Sequence, residues 1–348
     1  MRFVWRSITA VAFCLVMSSG ALAIDPGFNG EISYEHLNLP KTEFTYIFDF
    51  TNLPAPNAVP SKDENHDGDL DGGRLDLSLG GRGTFAGIPI IAGLKGYYAQ
   101  HDDSQSLSCQ TVTLAATCAH GPLFEPDPNS QQVVAYGVGS NLIYQTDLDV
   151  DTWGIALEGQ SAAKSMTGAI DVKLGAGYRR IDTDLSINGR RVSGGAGIPI
   201  PFSLDEATDT GYLGGYIGAG GKLPLGGGFA LAVDGDVGVY WAHTDYDGRY
   251  ISSGAAIATT NLDQSLTLDR DTSAIIASLK VGLDKDFGAF RAGLFGRGEY
   301  YSYAPEMNYN DVEGVVAPVG GSNNGTSIGR GDAWTASFGG RVTVPFTQ

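Results

Sequence analysis

Apolar and polar residues alternate along the last third of the chain. Between residues 274 and 286 every second position is apolar, namely Ile275, Ala277, Leu279, Val281 and Leu283. The positions between them are Ser278, Lys280, Gly282, Asp284 and Asp286. After a short turn at Phe287 and Gly288 the alternation resumes through Phe290, Ala292 and Leu294. This period of two predicts a β-hairpin with one apolar and one polar face.

The same unit recurs upstream. Residues 74–98 form a second predicted hairpin, with a turn at Ala86–Gly87, and residues 211–239 form a third, with a turn around Gly226–Gly228. Single strands are predicted at 152–160, 169–186 and 335–346, and an initial strand between 29 and 50. Residues 131–150 either extend a strand or supply another hairpin. The total is about ten strands, with twelve as the alternative, and an even number suits a closed antiparallel barrel.

Long polar connections separate these hairpins. Segments rich in Gly, Asn, Asp and Pro are predicted as loops at 51–72, 103–130, 188–209, 248–264 and 305–331. Tight turns therefore alternate with long loops. The aromatic residues are sorted as well, with phenylalanines near the tight turns and the following Tyr and Trp residues toward the long loops: Tyr97, Tyr98, Tyr240, Trp241, Tyr300, Tyr301, Tyr303 and Trp334. Two aromatic girdles are expected from this sorting.

This organisation resembles the outer-membrane β-barrel proteins of Gram-negative bacteria, including porin-like proteins. The last strand, from Trp334 to Phe346, is similar to the C-terminal assembly signal of that class, although it carries Pro345 and the chain ends in Thr347–Gln348. The resemblance implies an all-β fold, a closed antiparallel transmembrane barrel with short periplasmic turns and long extracellular loops. It also implies an outer-membrane location, with membrane lipid, lipopolysaccharide and the barrel assembly machinery as partners.

The N-terminal segment predicts export. Arg2 and Arg6 precede an apolar run from Ile8 to Val16, and Ala21–Ala23 suits signal peptidase, so residues 1–23 are expected to be a cleaved signal peptide. Residues 24–348 then form a single barrel domain. Loss of the two arginines changes the net charge from −17 to −19, which excludes nucleic acid as a partner.

Two cysteines remain in the predicted mature chain. In an oxidising compartment Cys109 and Cys118 are expected to form a disulfide. The alternative is a two-thiol metal or redox site with His120, but structural metal sites usually have four ligands.

The polar strand faces predict a charged lumen. The candidate lumen and selectivity residues are Arg74, Arg82, Lys95, Asp171, Lys173, Asp234, Asp236, Lys280, Asp284, Arg291, Arg297, Glu299 and Arg341. Asp76, Glu158, Arg179 and Asp286 fall on the same faces, and the two signs nearly balance. A ten-stranded barrel is narrow compared with diffusion pores. The lumen is therefore either a narrow path for small ions or solutes, or a polar plug closed by ion pairs.

One acidic segment resembles part of an EF-hand calcium loop. Its oxygen donors alternate along the chain at Asp63, Asn65, Asp67, Asp69 and Asp71, with Gly68 among them. Arg74 stands where the closing glutamate would be, so Asp76 or another ligand would complete the shell. The alternatives are Ca²⁺ binding and a solvated acidic loop. No other cofactor is expected.

Three hypotheses for function follow. The leading one is a narrow porin-like passive channel. The second is a non-conducting structural or surface-interaction barrel, for adhesion or for binding lipopolysaccharide or calcium. The third is a rim enzyme, since His243 with Asp245 is similar to the His and Asp pairing of omptin-like proteases, and His101–Asp103 lies at another strand end. The spacing of neither set of residues identifies a nucleophile or a position for a bound water. The chain is therefore not expected to be an enzyme.

Overall fold

The computed structural model describes residues 27–41, 45–49, 59–63, 68–85, 88–110, 116–120, 141–165, 168–192, 199–252, 262–308 and 327–345. Their regular structure is entirely strand, and none of it is a helix long and apolar enough to cross a membrane. The strands are β1 Gly27–Asn38, β2 Thr45–Asp49, β3 Val59–Asp63, β4 Asp69–Phe85, β5 Ile88–Gln110, β6 Ala116–His120, β7 Asn141–Ser165, β8 Gly168–Val192, β9 Pro199–Gly226, β10 Phe229–Ser252, β11 Leu262–Asp286, β12 Arg291–Asn308 and β13 Ser327–Pro345.

Ten of these strands form one closed antiparallel barrel in the order β1-β13-β12-β11-β10-β9-β8-β7-β5-β4. β1 completes the circle, since it pairs with β13 on one side and with β4 on the other. The three short strands form a second sheet, in the order β3-β2-β6. The predicted closed antiparallel barrel and its count of ten are confirmed.

Several strands are longer than the alternation pattern predicts. β9 has 28 residues, and β7, β8 and β11 have 25 each, more than twice the 9–11 or so that cross a bilayer. The predicted loop at 188–209 is wrong for most of its length, because β8 continues to Val192 and β9 begins at Pro199. The predicted loop at 248–264 is wrong at its two ends, because β10 continues to Ser252 and β11 begins at Leu262. Residues 141–150 extend β7, one of the two alternatives for that segment.

The tight end of the barrel is made by very short turns. β9 and β10 are joined by Gly227 and Gly228, and Gly226, Gly227 and Gly228 all have positive φ, of 88°, 60° and 81°. Only glycine adopts such angles without a steric penalty, so three in succession allow the chain to reverse abruptly. Gly288, with φ of 85°, has the same role between β11 and β12.

The outer face of the barrel is apolar over one zone only. On β10 the outward side chains from Phe229 to Trp241 are apolar, and those that follow, from His243 to Arg249, are polar. Exposed aromatic side chains border the zone at both ends: Phe28, Phe229, Phe287 and Phe290 toward the tight turns, and Tyr34, Tyr98, Trp153, Trp241, Tyr300 and Trp334 toward the long connections. This is the membrane-facing band of a transmembrane barrel.

Some of the predicted girdle aromatics face the interior instead. Tyr240, Tyr301 and Tyr303 are 2%, 3% and 0% exposed. Each is adjacent or close in sequence to an outward aromatic, and neighbouring side chains on a strand point to opposite faces. Pairs such as Tyr240–Trp241 and Tyr300–Tyr301 therefore contribute one ring to the girdle and one to the inside of the barrel.

Candidate functional site

The lower part of the lumen is a polar cavity of about 930 Å³, which we call the vestibule. At the tight-turn end its lining includes Lys222, Arg291 and Pro345, and farther in it includes Arg74 and Arg179. In the orientation usual for outer-membrane barrels this end faces the periplasm. The vestibule thus gives the interior of the barrel a wet chamber on the periplasmic side.

A cluster of ion pairs forms the inner end of the vestibule. We call it the ionic junction, and its members are Glu31, Glu35, Arg74, Asp76, Arg179, Lys280, Arg297 and Glu299. These residues come from β1, β4, β8, β11 and β12, so the cluster bridges strands that are not neighbours in the sheet. Arg74 with Asp76 and Arg74 with Glu35 follow the wall, whereas the other ion pairs join strands that are not neighbours and reach into the lumen.

Arg74 is the centre of the ionic junction. Its Nη1 lies 2.9 Å from Glu35 Oε2 and 3.4 Å from Glu299 Oε2, and its Nε lies 3.0 Å from Asp76 Oδ2. The guanidinium also lies 4.0 Å from the ring centre of Tyr97. Its side chain is 3% exposed. A buried charge that contacts three carboxylates and an aromatic ring holds the junction in one arrangement.

Two further arms of the junction reach other strands. Arg297 donates to Asp76 Oδ1 at 2.8 Å and to Glu31 Oε2 at 2.7 Å. Arg179, from β8, donates to Glu299 Oε2 at 3.4 Å and to the Tyr301 hydroxyl at 3.3 Å. Because β8 and β12 are separated by three strands, the Arg179–Glu299 contact closes the space between distant walls.

A second set of ion pairs lies against the opposite wall. Lys173 is 2% exposed and its Nζ lies 2.5 Å from Asp234 Oδ1 and 3.4 Å from Asp236 Oδ2. Lys95 Nζ lies 2.8 Å from Glu158 Oε2, which also accepts the hydroxyl of Tyr216 at 3.0 Å. These side chains satisfy one another and leave little charge free to attract a passing ion.

Above the ionic junction the interior is an apolar core. We call it the upper core, and its members include Tyr144, Leu148, Val150, Ile181, Leu185, Ile187, Phe202, Leu204, Tyr212, Tyr240, Tyr246, Tyr250, Tyr301 and Tyr303. Tyr303 is fully buried, and the hydroxyl of Tyr212 donates to its carbonyl oxygen at 3.0 Å. These side chains pack against one another across the upper interior of the barrel.

The outer surface at the same height carries rows of aspartates. Across β4, β5, β7 and β8 the directly opposed residues are Asp71, Asp102, Asp149 and Asp184. Across β7 to β11 they are Asp151, Asp182, Asp209, Asp245 and Asp269. We call these nine residues the aspartate belt. It lies just beyond the girdle of Trp and Tyr, where the barrel leaves the hydrocarbon.

Hydrogen-bond donors offset the negative charge of some aspartates of the belt. The Tyr98 hydroxyl donates to Asp151 at 2.8 Å, and Arg180 Nη2 lies 2.9 Å from Asp209 Oδ2. In the described part of the chain no lysine or arginine pairs with Asp149. Partial burial and the neighbouring carboxylates, Asp102 first among them, raise the pKa of Asp149 above its usual range. Like charges directly opposite one another destabilise a sheet, so this part of the belt opposes folding at neutral pH.

Replacing Asp149 by asparagine should therefore stabilise the protein at pH 7, by about 0.5 kcal/mol. Since the folded-state pKa of Asp149 is raised, the folded protein binds this proton more tightly than the unfolded chain. The stability contribution should rise as pH falls from neutral through the folded pKa, and become constant below the unfolded value. Urea unfolding in detergent micelles between pH 7 and pH 3.5 measures this dependence.

Asp263→Asn is the matched control for that measurement. Asp263 is exposed and accepts from Arg249 at 2.9 and 2.8 Å, and the arginine lowers the pKa of Asp263. Its contribution has the opposite sign, present above the unfolded pKa and lost as pH falls through the folded one. A loss of stability in Asp149→Asn at pH 7 would contradict the assignment of net repulsion.

The structure gathers most of the candidate lumen residues. Ten of them line the vestibule, namely Arg74, Lys95, Asp234, Asp236, Lys280, Asp284, Arg291, Arg297, Glu299 and Arg341. Lys173 is also directed inward, through its contacts with Asp234 and Asp236. Arg82 and Asp171 lie in β4 and β8, but their side chains fall outside the described residues.

Other residues of the site are not singled out by the alternation in the sequence. Glu31 and Glu35 belong to the ionic junction, and Glu31, Ser33 and Glu35 alternate with Ile32 and Tyr34. That short pattern, with Pro26 and Gly27 at its start and Pro40 after its end, is the available signal, but β1 is only twelve residues long. The sequence does not distinguish the interior tyrosines from those of the girdle, because the same residue type occurs in both places.

The two histidines named as candidates in the sequence lie in different surroundings. His101 is fully buried, 3.4 Å from Glu35, whereas its neighbour Asp102 is exposed on the belt. His243 contacts Asp271 at 2.8 Å and Asp245 at 3.4 Å on the outer surface. The hydrogen bond with Asp271 raises the pKa of His243. His101 and Asp102 therefore do not share a site, while His243 is held by two carboxylates.

The calcium and disulfide predictions fall mostly outside the described residues. Asn65 and Asp67 lie outside them, Asp63 ends β3, and Asp69 and Asp71 lie in β4, where Asp71 Oδ1 is 2.9 Å from His36 Nδ1. Over the described ranges no three His, Cys, Asp or Glu side chains are grouped to hold a metal ion. The side chains of Cys109 and Cys118 are also outside these ranges. Ca²⁺ binding and the disulfide stay predictions.

Comparison with known proteins gives matches among solved structures only. No family model and no curated protein matches the chain. The outer-membrane protease OmpT of Escherichia coli is similar with a TM-score of 0.44 and 11% identity, over 94% of this chain and 99% of that one. A FadL homologue of Pseudomonas aeruginosa has a TM-score of 0.26 and 7% identity, over 93% and 91%. The β domain of the Bordetella autotransporter BrkA has a TM-score of 0.24 and 10% identity, over 91% and 98%.

The location follows from the chain's own exterior. A closed barrel has no free edge within the bilayer, and its outward apolar zone ends at aromatic residues on both sides. Ile32, Leu157 and Leu174 are 72%, 67% and 67% exposed within this zone, which only a lipid environment makes favourable. The protein is an outer-membrane β-barrel.

Proposed function

We propose that this outer-membrane β-barrel is non-conducting and serves as a rigid support for interactions at the cell surface. The proposal is supported by the ion pairs that span the lumen at the ionic junction and by the buried side chains that pack together above it. Of the sequence-based hypotheses, it corresponds to the surface-interaction barrel and not to the porin-like channel.

The length of the strands supports the same function. On β10 the residues after Trp241 continue for eleven positions to Ser252. At about 3.4 Å per residue and a tilt near 40°, they extend the barrel about 30 Å beyond the girdle. Their inward side chains Tyr246 and Tyr250 are 2% and 1% exposed, so this extension has a packed interior of its own. A pore needs no such core, whereas a support that holds loops above the lipid headgroups does.

The purified wild-type protein should give no stable conductance steps in planar lipid bilayers. The ion pairs around Arg74 and Arg179 cross the lumen, and the apolar side chains above them exclude water, so an ion would meet a large desolvation barrier. Single-channel recording measures this, with a general diffusion porin purified in the same detergent as the positive control. Heat-modifiable migration on gels verifies that the barrel is folded.

Reproducible conductance steps from folded wild-type protein would contradict the closed-barrel proposal and favour a porin-like channel. In that case Arg291→Glu and Arg297→Glu should shift the reversal potential, since both residues line the vestibule. The structural reason to keep the channel as the competing hypothesis is the vestibule itself, a cavity of about 930 Å³ lined by charged residues.

A further inference from the structure

Beyond the girdle the barrel is not paired all the way around. β11 pairs with β10 along its whole length, from Leu262 to Asp286. It pairs with β12 only from Ile276 to Asp286. Among the described residues, the upper half of β11 therefore has an edge with no strand beside it. The edge belongs to the part of the barrel that projects above the membrane.

The departure of β12 explains the open edge. The pairing of β12 with β13 shifts register between Tyr301 and Ala304, and Tyr303 points into the upper core, where its hydroxyl lies 3.0 Å from Thr244 Oγ1. β12 thus bends inward and away from β11. In place of a strand partner, the N–H of Ile275 donates to the Ser302 hydroxyl at 2.8 Å.

The Ile275 contact also identifies which backbone groups face the open side. In an antiparallel strand each residue directs its N–H and C=O toward the same neighbour, and successive residues alternate between the two sides. Since Ile275 faces β12, the residues that present both groups to the open side are Asp263, Ser265, Thr267, Asp269, Asp271 and Ser273. All six have exposed side chains. This is a ready template for another extended chain.

The chemistry on the two faces of the edge differs. The outer face carries Asp269 and Asp271, and on β10 beside them Asp245 and Asp247. The basic side chains near this edge already have partners: Arg249 pairs with Asp263, His243 contacts Asp271 and Asp245, and Arg270 donates to the carbonyl oxygen of Ile328. The inner face carries Leu266 and Leu268, half-buried against the upper core. An added strand would meet carboxylates on one face and leucines on the other.

We propose that the upper edge of β11 binds an extended cationic peptide segment as an added strand, with basic and apolar residues alternating along it. Main-chain hydrogen bonds would supply much of the affinity, and the aspartates would select basic side chains on the outer face. A second copy of this chain fits less well, because its own edge carries the same acidic residues. The inference deepens the proposed function, on which it rests, by naming the class of partner.

Thr267→Pro tests the edge, with the protein folded in lipid nanodiscs. Proline removes the Thr267 N–H, which faces the open side, and leaves the hydrogen bonds to β10 in place. The probe is a fluorescent ten-residue peptide of alternating lysine and valine, followed by anisotropy. We expect the wild type to bind it and Thr267→Pro to bind about tenfold more weakly. Thr267→Ala, which keeps the N–H, is the matched control and should bind as the wild type does.

A second measurement leaves the protein unchanged. The same peptide N-methylated at alternate residues keeps its charge but loses donors, and its binding should weaken by a similar factor. A peptide of alternating glutamate and valine should not bind. Equal binding by Thr267→Pro and wild type, or by methylated and unmethylated peptide, would overturn the strand-addition model. Failure of the wild type to bind the lysine–valine peptide would overturn the inference but leave the closed barrel standing, since only the conductance measurement tests closure.

Discussion

Replacing Arg74 by methionine should lower the free energy of unfolding by about 3–5 kcal/mol. The change keeps an unbranched apolar chain close to the length of the arginine stem but removes the guanidinium that contacts Glu35, Asp76 and Glu299. Glu35 and Glu299 are 1% and 5% exposed, so their carboxylates would stay buried with less compensation. Urea unfolding followed by tryptophan fluorescence measures the loss.

Arg291→Met is the matched control for Arg74. Arg291 lies at the mouth of the vestibule, where its side chain is 46% exposed and pairs with Asp286 at 3.1 Å. Exposed ion pairs contribute little to stability, so this variant should unfold close to the wild type. If Arg74→Met were as stable as Arg291→Met, the ionic junction would not be the buried unit described. If Arg74→Met shows the expected loss, adding Glu299→Gln should recover part of it, because the second change removes one of the buried carboxylates that Arg74 contacts.

The second large effect is expected at Tyr303. Tyr303→Ala should cost about 3–5 kcal/mol, because it removes a fully buried ring from the upper core and leaves a cavity there. Tyr303→Phe should cost about 1 kcal/mol, since it removes only the hydroxyl that contacts Thr244. The same unfolding measurement in micelles distinguishes the two.

Tyr300→Ala is the control for Tyr303. It lies three positions away on the same strand, but its ring is 43% exposed in the girdle. Its loss should be clearly smaller than that of Tyr303→Ala, because no enclosed cavity forms. Comparable losses in the two variants would show that the upper core is looser than its packing indicates, and would weaken the argument that it seals the lumen.

The membrane part of the barrel could be predicted from the sequence because its signals are local. Alternation in β11 and β12 and the glycine turn at Gly226–Gly228 each fall within a few residues. The inward set that includes Lys280, Asp284 and Arg297 follows directly from that alternation. These features arise because the two faces of a membrane-spanning strand have different surroundings, with lipid on the outer face and a polar interior on the inner face.

The upper extension escapes prediction because the two faces exchange character at the girdle. In β10 the odd positions are apolar up to Trp241, whereas above it the odd positions are polar and the even positions Tyr246 and Tyr250 are buried. The period of two continues, but its phase is inverted, so the segment has the composition of a loop. A strand search that permits one inversion would find it.

Contacts across the lumen could not be predicted for a different reason. Arg74 meets Glu35, 39 residues away, and Glu299, 225 residues away. Which charges meet depends on the register of every strand between them and on the curvature of the wall. The sequence indicates that these side chains share an interior, but only the closed barrel determines their partners.

The pairing of β1 with β13 has a consequence for biogenesis. Residues 27–38 are joined in register to residues 334–345, so the seam unites the two most distant strands of the described chain. Every other neighbouring pair of barrel strands is separated by about 30 residues or fewer and can pair as the chain emerges, but this seam must wait until the final strand has been translocated. Until then β1 and β13 each offer bare amides to the bilayer, at several kcal/mol for each unsatisfied group. A newly exported chain therefore needs protection at those two strands for as long as the seam is open.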